Sequence, residues 1–140
     1  VPAQAIDEIY TLLEVLEIGA CRLALPPLDD GTILAMSALA NRMEQTRNVK
    51  RWTALDRAFH EAIPQAAGLG RFQEWLARTG EDWQRLRRLR LTRTTRETLL
   101  EADTEHRQYL ELLRQRRLPP VEKWLRQHYR NALARYKAVG

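Results

Sequence analysis

The chain has 140 residues, 44% of them hydrophobic, which suits one domain with its own core and leaves too little for two ordinary ones. A single cysteine excludes an internal disulfide, and no apolar run approaches the roughly 18 residues of a membrane span, so the expectation is a reduced, cytoplasmic protein without membrane contact. The net charge of +5 comes with arginines gathered chiefly between Arg85 and Arg96, with no aromatic interleaving or glycine pattern of a nucleic-acid module, and reads as a solvated face.

Gly and Pro number only six each while helix-forming residues abound, so the pattern predicts an all-α protein of about six helices. A first helix spans about 5–25, with Ile6, Ile9, Leu13, Leu16, Ala20 and Leu23 as its apolar stripe and Cys21 as a packing residue, and it ends at Pro26-Pro27. Asp29 or Asp30 caps a second helix through about 46, whose inward face is Ile33, Met36, Ala40 and Met43. The third, about 51–63, stops at Pro64 and is followed by a glycine-containing turn. The fourth, about 71–91, turns Phe72, Trp75, Leu76, Trp83 and Leu86 inward and bends at Gly80. The fifth covers about 97–117, and Pro119-Pro120 opens a sixth that runs almost to the end.

The third helix carries the sharpest anomaly. Trp52, Leu55, Asp56, Phe59, His60 and Ile63 keep the spacing of a core-facing stripe, so two polar residues stand where apolar ones belong. Asp56 and His60 are one turn apart on one face and can converge on one atom. His106 falls within the stripe Leu99, Ala102, Tyr109 and Leu113, and His128 within Val121, Trp124, Leu125 and Ala132. With about 40% of helix positions facing a core, chance places all four residues inward about 3 times in 100.

A buried, unpartnered carboxylate costs several kcal/mol, and a divalent cation among three imidazoles relieves it. Asp56, His60, His106 and His128 therefore form a candidate N3O set for one metal ion, zinc first, with nickel or another first-row metal also suited. Arg135, two turns beyond His128, and Arg88 are the candidate cations for an anionic ligand beside it.

The segments DRAFH (56–60), EHR (105–107) and RQHYRNAL (126–133) resemble the FCD domain, the effector-binding half of FadR-type regulators in the GntR superfamily. EIYTLLEVLEIGACRLA, NRMEQ and the AAG turn after DRAFHEAI extend the resemblance over nearly the whole chain. The resemblance implies an antiparallel bundle of these helices around a central metal and ligand pocket, with Asp56, His60, His106 and His128 as the metal's ligands and a small carboxylate or hydroxy acid as the effector alongside. It also implies a sensing domain and not an enzyme, a homodimer, and DNA binding only through an N-terminal winged helix-turn-helix, absent from residues 1–140, that the parent protein would carry.

Two departures stand out. Leu12 and Leu13 occupy the neighbourhood of a first-helix arginine that grips the effector in many such domains, and Leu69 follows the AAG turn where an asparagine is usual. Two other readings use the same residues. A metal-dependent, hydrolase-like enzyme would need an inward general base, for which only Glu17 offers itself, and a metal-free helical module would meet nucleic acid or protein through its basic face.

Overall fold

The computed structural model describes residues 2–88 and 96–139, and among these it contains six helices and no strand. They are α1 (Ala3–Ala24), α2 (Asp30–Gln45), α3 (Val49–Ala66), α4 (Gly70–Arg88), α5 (Arg96–Gln115) and α6 (Leu118–Val139). The end expected for the fourth helix, and part of the arginine run, lie outside the described residues.

Local chemistry sets the boundaries. Asp29 caps α2, its carboxylate accepting from the Thr32 backbone N–H and the Thr32 hydroxyl, both at 2.7 Å. Asn48 caps α3 by accepting from the Arg51 N–H at 2.9 Å. After α3, Gly68 takes φ +67°, a left-handed conformation that glycine adopts without a Cβ penalty. Arg116 does the same after α5 at φ 55°, and its guanidinium reaches the Leu28 carbonyl at 3.0 Å and Asp30 at 2.8 Å, which offsets the strain.

The third helix does not stop at Pro64. It continues to Ala66, because a proline near a helix end forfeits only the one bond to the carbonyl four residues earlier, and the Ala67 N–H to Ile63 and Leu69 N–H to Pro64 bonds close the turn behind it. Gly80 lies within continuous helix α4, where the absent side chain leaves room for Arg57: a Cβ there would meet Arg57 Nε at 2.7 Å.

α1 packs against α6, α4 and α3, while α2 packs against α3 and α5. The pairs Arg22–Glu122 and Asp7–Lys137 show α1 and α6 antiparallel, as Arg107–Glu44 and Arg116–Asp30 do for α5 and α2. The core includes the stripe positions Leu13, Met36, Phe59, Leu76, Tyr109 and Leu125. Cys21 is buried beside the Tyr109 hydroxyl at 3.4 Å, and burial pushes its thiol up to about 12, as a packing thiol should be. Leu23 and Trp75, placed inward by spacing, are more than half exposed: both sit at the edge of their stripes, on the solvent side.

Candidate metal and ligand site

Four of the helices meet at one buried point. α3 supplies Asp56 and His60 from adjacent turns, α5 supplies His106, α6 supplies His128, and α1 brings Glu17 behind His60. All five are buried. One nitrogen of each of the three histidines lies within 4.8 Å of the other two. His60 Nε2 and His106 Nε2 are 3.3 Å apart, and Asp56 Oδ1 stands 3.0 Å from His106 Nε2 and 3.3 Å from His60 Nε2. The four residues singled out by spacing thus gather in one place, with Asp56 directly against two of the three rings.

The far sides of the rings are held as well. Burial opposes charge on Glu17, but the His60 ring and the Tyr129 hydroxyl outweigh it and hold the carboxyl below its usual range. Ionised Glu17 can only accept, so His60 Nδ1–H donates to it at 2.8 and 3.0 Å, and Tyr129 donates a second, short bond. Burial likewise works against ionised Glu105, yet the hydrogen bonds from His128 and Arg135 bring it down to about 2. His128 Nδ1–H donates to its Oε1 at 2.7 Å, and Arg135 donates to Oε2 at 2.7 Å. His106 Nδ1 is buried with no hydrogen-bond partner.

These bonds turn the Nε2 edges of His60 and His128 toward the cluster. Burial alone would lower the basicity of His60, but Glu17 and Asp56 raise it to about 9, whereas burial lowers His128 to about 4 despite Glu105. Asp56 is held well below the carboxylate range: burial resists, and the His60 and His106 rings prevail. Imidazole edges that converge beside an ionised carboxylate form a donor set that suits a first-row divalent ion chemically. The residues therefore fit the metal that their spacing suggested.

A cavity of about 50 Å³ opens beside this cluster, with Asp56 and His128 in its wall. At roughly 10–15 Å³ for each water centre it holds a few waters or a short acid. Its other polar walls are Tyr10, Arg87, Thr98 and Arg135, with Trp52 and Trp83 alongside. The Arg87 guanidinium lies 5.5 Å from the centre of the Trp83 ring and 5.9 Å from that of Trp52, and its Nε and Nη2 are buried without a hydrogen-bond partner among the described residues. Burial raises the Tyr10 phenol to about 12, so it keeps its proton, and its oxygen accepts from Trp83 Nε1 at 3.2 Å.

Of the two arginines expected here, Arg135 lines the cavity but is already paired with Glu105. Arg88 does not line it: it is exposed, in a surface groove between α3 and α4 shared with Lys50 and Gln84. Its neighbour Arg87 is the residue that turns inward. Spacing held a clue, since Arg87 stands four residues beyond Trp83, one turn along the inward face. The α1 residue in the cavity wall is Tyr10, while Leu13 is fully buried elsewhere and Leu12 half exposed. Glu105 had no periodic signal, although it adjoins His106 in the chain.

These features define an all-helical bundle domain with a histidine-lined polar centre. The model of the FCD domain matches residues 8–131, and the chain belongs to the FCD domain family. Its fold is similar to the crystal structure of a transcriptional regulator, a GntR family member, from Pseudomonas syringae pv. tomato str. DC3000, with a TM-score of 0.82 and 20% identity. The alignment covers 99% of this chain and 60% of that one, so the chain spans little more than half the regulator's length. No curated protein matches the sequence.

Proposed function

We propose that this chain is the effector-sensing domain of a GntR-type transcriptional regulator, in which Asp56, His60, His106 and His128 hold one divalent metal, zinc or nickel, and a small carboxylate or hydroxy acid binds beside it. The observation that carries this reading is the meeting of three buried imidazoles and a carboxylate, from three helices, with two of these residues, Asp56 and His128, in the wall of a cavity that also presents Arg87, unpartnered among the described residues. A divalent ion there supplies a Lewis acid for a carboxylate or hydroxyl oxygen.

The chain's own groups do the rest. Arg87, braced between two tryptophan faces, offers two N–H groups to the acid, and a charge-assisted bond of this kind is worth about 1.5–3 kcal/mol. Tyr10 keeps its phenolic proton and can donate to a second oxygen. Because the metal ligands come from α3, α5 and α6, and Arg87 from α4, an occupied pocket ties four helices together and biases their packing. In the parent protein that bias would pass to a DNA-binding domain outside residues 1–140, in a homodimer.

The test is a crystal structure of protein purified without chelator, with anomalous scattering at the zinc and nickel edges, alongside calorimetry with both metals. Support is a metal at the three histidines and a binding constant weakened at least a hundredfold in His106→Ala. Equal binding by His106→Ala, or none by the unaltered protein, overturns the proposal.

A further inference from the structure

Two carboxylates outside the four-residue set share one feature. Glu17 is 1% exposed, on the inward stripe of α1 between Leu13 and Ala20, where a leucine would be the ordinary choice. Burying an acid there is costly unless its bonds do something an apolar residue cannot. Both of its oxygens face His60 Nδ1, at 2.8 and 3.0 Å, and Tyr129 donates to one of them. Glu105 divides its oxygens, Oε1 to His128 Nδ1 at 2.7 Å and Oε2 to Arg135 at 2.7 Å, with Asn131 at 3.3 Å.

A structural ion pair could use either ring nitrogen of a histidine. Here two rings on different helices are both held by Nδ1, the arrangement that turns Nε2 toward the cluster and leaves it as the nitrogen a metal would take, in place of a proton at His60. His106 has no such support, its Nδ1 being buried and unpartnered. We propose that Glu17 and Glu105 are the positioning residues of the metal site, each fixing the tautomer and orientation of one histidine, and that Arg135 serves chiefly to hold Glu105. This rests on the metal reading above and adds to it the residues that set affinity. Arg135, being in the cavity wall, also places an acid bound there within one side chain of the His128 support.

Zinc affinity measured by competition with a chromophoric chelator tests the assignment, with circular dichroism confirming the fold of each variant. Glu17→Ala and Glu105→Ala are expected to lose about 10–100-fold in zinc affinity. Glu17→Gln, whose amide oxygen still accepts from Nδ1–H, recovers part of that loss, and Glu74→Ala on the surface changes nothing. Long-range proton–nitrogen spectra of the zinc-loaded, unaltered protein give a second readout that depends on no variant: His60 and His128 should both carry hydrogen on Nδ1 and metal on Nε2. Tight zinc binding by the unaltered protein with both alanine variants within twofold of it, or metal on Nδ1 of either ring, overturns the assignment while the metal site stands. Absence of zinc and nickel binding altogether sinks the site, and the assignment with it.

Discussion

His60 and His128 are buried a few ångströms apart, yet their surroundings drive their basicities in opposite directions. Without metal, His60 rises to about 9, because Glu17 and Asp56 overcome its burial, so its contribution to stability is complete below its ordinary value of 6.5 and disappears as pH climbs through 9. His128 falls to about 4 through burial, so the unfolded chain takes up its proton first, and stability drops as pH falls from 6.5 through 4. Glu105, at about 2, adds a loss that begins below its ordinary 4.5. The metal-free protein should therefore be most stable near pH 6.5, with each histidine contributing a slope of at most about 1.4 kcal/mol per pH unit on its own side and Glu105 steepening the acid side below 4.5. Thermal melts in chelator from pH 4 to 9 check this, and a stability that keeps rising above pH 7 would contradict the His60 environment. Arg87→Met probes the cavity at the same scale: lactate binding to the zinc-loaded protein, measured by calorimetry, should weaken about 10–100-fold, the equivalent of one charge-assisted bond, with zinc affinity unchanged.

Helix α3 shows how one element can serve both fold and site. Its inward stripe is apolar enough to bury the helix, and Asp56 and His60 use two places in that stripe. Asn48→Ala, which removes the cap at its start, should cost about 1 kcal/mol, or roughly 3 °C in melting temperature, while leaving the site intact. Gly80→Ala on α4 should cost a net amount of about 0–2 kcal/mol. Alanine gains nearly 1 kcal/mol in helix propensity, but its Cβ would press on the buried Arg57 at 2.7 Å, and overpacking of this kind costs about 1–3 kcal/mol; a stabilised Gly80→Ala protein in a chemical-denaturation series would show that Arg57 yields freely. The helices themselves were legible because each is amphipathic over four turns or more, and the inward polar residues because they broke that pattern. Glu105 was not legible for a related reason: it lies beside its stripe and reaches the site by side-chain length, whereas Arg87, one turn beyond Trp83, kept the inward spacing without the apolar chemistry that marks a stripe. Arg88, one position further round, was chosen on sequence and faces solvent. The passage of α3 through Pro64 was hidden because the cost of a proline near a helix end depends on how the next turn closes, which spacing alone does not reveal.

At the scale of the molecule, the polar centre is the place where the bundle is least self-sufficient. Asp56 and Glu17 put two ionised carboxylates among buried histidines, and the chain's nearby compensation is the buried Arg57, 3.4 Å from Glu61, and the proton that His60 retains. A divalent ion bound as proposed would replace that proton with a stronger and better-centred charge, and since it would bind only the folded arrangement, its binding energy would become folding energy. At a thousandfold excess of free zinc over the dissociation constant the gain is about 4 kcal/mol, which for a domain of this size raises the melting temperature by on the order of 10 °C. The shift should grow with the logarithm of zinc concentration, and lactate should extend it only when zinc is present, because the acid needs both the ion and Arg87. His106→Ala starts from a lower melting temperature, yet its diagnostic property is the slope: with one ligand gone, added zinc should leave its melting temperature flat. A slope equal to that of the unaltered protein would place the bound ion elsewhere, and the four helices would then be joined at this point by hydrogen bonds alone.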